Sequence, residues 1–176
     1  MKKTILTIIT TMLTIGAMAQ VNAVGIPFGI SKVKAVELLT SKYGQYIDYG
    51  YNSITYADFR LDGITYNLAQ FSFDNNMRFS KAMFFLPKRS LTDTEAATED
   101  MKNLVAELES RYLVVNLVEY GSNQEYKDGN GIMTTLYRAL PKNAAQVEHS
   151  YMITVLAYAD ADGIRIAALY EPKDIK

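Results

Sequence analysis

Two stretches of helical periodicity, each followed by a run of strand and turn signals, constrain this chain more than any other feature. A chain that spells a helix and then several strands, twice, must find a sheet for the strands and cover a face of it with the helices. The first helix is expected from Lys32 to about Tyr43. Ser31 is placed to cap it, Val33, Val36, Leu39 and Tyr43 fall along one side, and Gly44 stands where a left-handed C-terminal cap belongs. The second is expected to open on a capping box made by Thr92 and Glu95. Ala97, Met101, Leu104, Val105, Leu108 and Tyr112 then build one apolar stripe. Glu99, Lys102, Asn103, Glu107 and Ser110 form the solvated side.

Strand patterns follow each helix. Ile54–Leu61 and Ile64–Phe73 flank Asp62-Gly63, a dipeptide suited to the positive φ angles of a tight hairpin turn. Asp74-Asn75-Asn76 is a second turn, leading to a strand over Phe79–Leu86 that stops at Pro87. The apolar side of Ile64–Phe73 switches near Ala69, which predicts a bulge. Further on, Gly131–Leu140, Tyr151–Ala159 and Ile164–Tyr170 read as strands, the last two joined at Asp162-Gly163. Tyr46–Tyr51 and Leu113–Tyr120 are candidates for additional short strands.

The halves, about 25–87 and 92–172, echo one another. Ser41-Lys42-Tyr43 matches Ser110-Arg111-Tyr112, and Asp48-Tyr49-Gly50-Tyr51-Asn52 resembles Glu119-Tyr120-Gly121-Ser122-Asn123. The expectation is an α+β domain of two αβββ(β) repeats, with one antiparallel sheet and both helices packed on one face. The joint from Pro87 to Asp93 is too short for a flexible linker, so the halves are expected to pack together. The sheet's other face would stay partly open, and function is expected there.

Residues 1–19 read as a signal peptide. Lys2 and Lys3 precede an apolar run from Thr4 to Met18, and Ala17-Met18-Ala19 supplies a small-x-small cleavage pattern. The run is shorter than the roughly 20 residues that span a bilayer comfortably. No cysteine follows, so no lipid is attached there and no stable membrane anchor is expected after cleavage. The expected mature chain, 20–176, is long enough for a single domain that buries about 70% of its unfolded surface. It is exported to the periplasm or the cell exterior on this reading. Loss of Lys2 and Lys3 leaves 16 of the 18 basic residues against 19 acidic ones, a net charge of −3. So mild a balance gives no footprint for nucleic acid or anionic lipid. With no cysteine in the chain, burial alone must hold the domain together.

Gly25-Ile26-Pro27-Phe28-Gly29-Ile30-Ser31, followed by an apolar helix ending Lys42-Tyr43-Gly44, resembles the opening of small secreted bacterial helix-plus-meander modules. The tandem arrangement is similar to the β-lactamase inhibitor protein fold, and each half resembles the small outer-membrane assembly lipoproteins. The chain lacks the cysteines of the first family and the lipid-bearing cysteine of the second, so no functional residue carries over. The resemblance implies a binding or inhibitory scaffold rather than a hydrolase.

Residues with catalytic potential have simpler readings. His149 is the only histidine, and its neighbours Glu148 and Ser150 cannot converge on it as a triad from an extended chain. One histidine without cysteine is also too few ligands for zinc. Asp160-Ala161-Asp162-Gly163 opens like a calcium loop with Glu171 at position twelve, but Ile164–Tyr170 between them is a strand pattern, so a hairpin turn is expected. Lys127-Asp128-Gly129-Asn130-Gly131 lacks the Lys-Ser/Thr of a phosphate loop and reads as a turn. No catalytic set, metal site or cofactor is assigned. A small hydrolase with paired carboxylates stays open as a second alternative, without a distinctive pair of acids to carry it.

The aromatic residues give the one positional clue. Twelve of the twenty Phe and Tyr residues lie between Tyr43 and Phe85. Phe59, Phe71, Phe73, Phe84 and Phe85 are expected in the core. Tyr46, Tyr49, Tyr51, Tyr56 and Tyr66 are candidates for a recognition surface, because tyrosine offers large rigid contact area at small entropic cost. Arg60 and Asp58 are expected to share a strand face with Tyr56 and extend that surface. The reading is a non-catalytic binding or inhibitor-like module acting on a protein partner in the cell envelope. The alternative is a module that binds a carbohydrate or small ligand there.

Overall fold

The computed structural model describes residues 22–120, 132–141 and 151–172. It opens on a small hairpin of β1 (Asn22–Ala23) and β2 (Ile26–Pro27), which has no counterpart among the sequence expectations. Helix α1 (Lys32–Tyr43) leads into β3 (Asp48–Tyr49), β4 (Ser53–Leu61), β5 (Ile64–Phe73) and β6 (Phe79–Phe85). Helix α2 (Thr94–Arg111) runs directly into β7 (Tyr112–Tyr120), followed by β8 (Ile132–Pro141), β9 (Tyr151–Asp160) and β10 (Gly163–Pro172). The architecture is α+β. Strands β3 to β10 make one antiparallel sheet in the order β3-β4-β5-β6-β10-β9-β8-β7. Six of them, β3 to β6 with β9 and β10, carry the side-chain packing given below. Each helix is thus followed by four strands, and the two sets meet where their last strands, β6 and β10, pair.

One face of the sheet carries the core. Ile153, Val155, Ala157 and Ala159 alternate along β9, and Ile164, Ile166, Ala168 and Tyr170 alternate along β10. They form a single cluster with Ile54, Phe59, Phe71 and Phe84 of the first half and with Ala35, Leu39, Ala97, Met101, Leu104 and Leu108 of the two helices. The stripe read from the sequence of α2 is therefore its buried side. Of the phenylalanines expected in the core, Phe59, Phe71, Phe73 and Phe84 are there. Phe85 is only half-buried and lies outside the cluster, because it points to the opposite face from Phe84.

Local details depart from expectation in four places. Helix α1 is capped as predicted, Ser31 Oγ accepting from the Lys34 N–H, and Gly44 ends it at φ 83°. Its buried side, however, is Lys32, Ala35 and Leu39, leaving Val33 78% exposed. The rest of the expected side holds, with Leu39 in the core and Val36 and Tyr43 packed against it, so only Val33 lies off the buried side. The Thr92–Glu95 capping box does not form. Helix α2 starts at Thr94 behind Asp93, and the Thr92 hydroxyl hydrogen-bonds that of Ser90 instead, at 3.0 Å. The buried side does switch in β5 between Tyr66 and Ala69, and it switches at the same level in β4 between Tyr56 and Phe59, where Asp58 has φ 48°. The register on either side of that point is unchanged, so the switch needs no bulge; the bulge on β5 and β6 falls at Ser72/Phe73. The same switch removes Asp58 and Arg60 from the face of Tyr56. Both are exposed whereas Tyr56 is buried.

The joint between the halves is pinned at Arg89. Its backbone exchanges two hydrogen bonds with Ile164 of β10, at 2.8 and 3.0 Å. Its guanidinium makes a two-pronged pair with Asp100 of α2, Nε–Oδ2 2.6 Å and Nη2–Oδ1 3.0 Å. Gly163 faces this backbone at φ 137°, and a Cβ there would collide with the Arg89 carbonyl oxygen.

Candidate functional site

Lys32 organises the corner where α1 meets the edge strand β3. It occupies the first helical position, directly after the cap, and only 7% of it is exposed. Its Nζ donates to the carbonyls of Gly50 and Tyr51, at 2.6 and 2.8 Å. The same ammonium lies 3.9 Å from the ring centroid of Tyr49 and 5.6 Å from that of Phe73. A buried cation satisfied by carbonyls and aromatic faces fixes the chain from Tyr49 to Tyr51 against the helix.

The apolar groups held there are unusual in being left outside. Val33, Ile47, Tyr49 and Tyr51 are the large hydrophobic side chains that are exposed among the described residues, at 78%, 61%, 51% and 81%. Tyr46, half-buried, braces the group from below, with its ring 5.3 Å from Tyr49 and 6.4 Å from the buried Tyr56. Between Val33, Tyr49, Tyr51, Ser31, Lys32 and Met77 lies a shallow, mostly apolar depression of about 400 Å³. Rigid aromatic rings beside a shallow apolar dish suit contact with another surface better than enclosure of a reacting substrate.

The residues singled out from the sequence therefore separate. Tyr46, Tyr49 and Tyr51 come together at this corner. Tyr56 and Tyr66 are core residues, 2% and 0% exposed, and Arg60 is exposed on the other side of the sheet. Burial, and secondarily the charge of Asp62, pushes the Tyr66 phenol well above the usual tyrosine range. The sequence did hold the signal for this, since Tyr56 follows Ile54 by two residues and Tyr66 sits opposite Phe59. Lys32, Val33 and Ile47 were missed. Only Ile47, apolar between Tyr46 and Asp48 in a short polar segment, offered a hint.

Other chemistry-bearing groups are accounted for by packing. Tyr112 donates to Asp62 Oδ2 at 3.0 Å, and Tyr151 stacks on Tyr170 at 5.7 Å, which ties the end of α2 to the β4–β5 turn. Burial raises the phenols of Tyr112, Tyr151 and Tyr170, so at neutral pH they act as hydrogen-bonding groups. Asp160-Ala161-Asp162-Gly163 forms the β9–β10 turn as predicted. Asp160 accepts from Arg165 Nε at 2.8 Å and from the Asp162 N–H at 2.9 Å. Glu95 and Glu99 border a shallow polar depression on α2 beside Lys102, all of them exposed. Among the described residues no three metal-ligating side chains cluster, and no helix is long and apolar enough to cross a membrane. His149, Lys127–Gly131 and the expected signal segment lie outside the described residues.

No protein-family model matches the chain, and no significant match is found among curated proteins or solved structures.

Proposed function

We propose that this protein is an exported, non-catalytic binding module that engages a protein partner through the corner formed by Tyr49, Tyr51, Ile47 and Val33. One observation carries the reading. The large apolar side chains left exposed among the described residues all lie on the first turn of α1 or within the segment 47–51. Scattered exposed hydrophobics need no explanation, but a group held rigid by a buried lysine has the composition of an interface centre. The export signal expected at residues 1–19 places that partner in the cell envelope. Resemblance of the Gly25–Gly44 motifs to secreted helix-plus-meander modules supports a scaffold that binds or inhibits. We read the helix-then-four-strands order of both halves as a duplication, supported by the matched Ser-Lys/Arg-Tyr helix ends.

A photo-crosslinking residue at Tyr51 tests the reading in envelope extracts, with the same residue at exposed Lys102 of α2 as control. A protein adduct formed from position 51, absent from position 102 and lost when Tyr49→Ala and Val33→Ser are added, is the expected result. Equal labelling from both positions would sink the assignment. Binding on a glycan array that Tyr49→Ala abolishes would turn the same corner into a carbohydrate site.

A further inference from the structure

The packed core begins almost at once after the expected signal segment. Asn22 already pairs with Pro27 across the β1–β2 hairpin. Ala23 is fully buried and Ile26 nearly so, and both belong to the core cluster. Strand β1 lies against β10, and β2 against α1. The Val24 carbonyl in the turn accepts from Lys42 Nζ at 2.9 Å and from the Tyr43 hydroxyl at 3.1 Å, both at the end of α1. The bond assigned to cleavage, Ala19–Gln20, therefore stands only two residues, Gln20 and Val21, ahead of a paired strand.

Two residues fully extended reach about 7 Å. A peptidase holds its substrate as an extended strand within a cleft, on both sides of the bond it cuts. Layers of protein pack about 10 Å apart, so that reach does not carry the bond past one layer of an enzyme's surface while the hairpin is docked. The hairpin is also built to close late. Its two-residue strands form a sheet of their own, outside the main ladder, and a lone hairpin is marginal at best in water. Val24 sits in the turn at φ 56°, a conformation that a β-branched residue rarely adopts. Closure thus depends on Lys42 and Tyr43 standing at the end of a helix that has already formed.

We propose that this hairpin is a latch on signal removal: a signal peptidase cuts Ala19–Gln20 only while the hairpin is open, and the hairpin closes on the finished fold afterwards. Water adds across the bond, leaving a carboxylate on Ala19 and a free amine on Gln20. The inference rests on the export reading of residues 1–19 and stands without the aromatic corner.

The test dilutes the full chain, signal segment included, from urea into detergent micelles. A bacterial signal peptidase, checked on a control precursor, is present from the start or added once refolding is complete. Cleavage before Gln20 is expected in the first case and should be slower by at least about ten-fold in the second. A Gly-Ser-Gly-Ser spacer inserted after Val21 adds about 14 Å of reach. It should let the refolded chain be cut as fast as the refolding one, with the melting temperature unchanged. Equal rates for the two orders of addition overturn the latch. So does a spacer that fails to restore cutting, which would place the block outside the hairpin. No cut in either order would instead overturn the export reading itself.

Discussion

The ammonium of Lys32 lies 3.9 Å from the ring centroid of Tyr49, and one side of that ring is therefore spent on the protein's own cation while the residue stays half exposed. The contact couples the first turn of α1 to the edge of the sheet. It makes the aromatic corner a fixed feature rather than a loose loop. Lys32 is buried at the first helical position while Val33, the next residue, stands exposed beside the same corner.

Lys32→Met keeps the stem and removes the charge, leaving the carbonyls of Gly50 and Tyr51 without their donor. The expected loss is about 2 kcal/mol in urea unfolding. Limited proteolysis should also begin between residues 49 and 52. An unchanged unfolding midpoint with unchanged cleavage would show that the cation does not hold the corner.

Gly163→Ala should be among the most damaging single changes in the chain. The backbone there has φ 137°, and the new methyl would strike the Arg89 carbonyl that bonds β10. A loss of about 3 kcal/mol is expected, against about 1 kcal/mol for Gly29→Ala, where φ is also positive but the space is open. Similar melting temperatures for the two variants would mean that the joint yields easily.

The β9–β10 turn gives an acid-dependent prediction. The hydrogen bond from Arg165, and then that from the Asp162 N–H, holds the Asp160 carboxyl below the usual aspartate range. A depressed pKa contributes stability above the unfolded value, about 4, and that contribution disappears as pH falls through the folded value. Wild type should therefore melt higher than Asp160→Asn at pH 7, and the gap should close toward about pH 2. A gap independent of pH would remove the carboxylate from the explanation.

Tyr66→Phe deletes a buried hydroxyl that has no hydrogen-bond partner of good geometry. The expected effect is neutral to stabilising, by up to about 1 kcal/mol, whereas Tyr112→Phe should cost about that much by breaking the bond to Asp62. Chemical denaturation of the two variants side by side distinguishes them. A marked loss from Tyr66→Phe would reveal a partner for that hydroxyl.

Local patterning determined the elements themselves. Ser31 and Gly44 bound α1, Asp62-Gly63 turns β4 into β5, and the α2 stripe from Ala97 to Leu108 names the residues it buries. These follow from the sequence because each depends on neighbours within a few positions: a cap, a positive φ, a periodicity of 3.6 or 2. The tertiary structure decided what depends on distant partners. Lys32 is buried because Gly50 and Tyr51 offer carbonyls 18 and 19 residues away. The joint between the halves is placed by Arg89, anchored to Ile164 on β10 and to Asp100 on α2. Tyr49 and Tyr56 carry the same side chain seven positions apart, and the sheet sends one to solvent and the other to the core. A residue's type sets what it can contribute; which face it occupies, and therefore whether anything outside can touch it, is fixed only when the strands find their register.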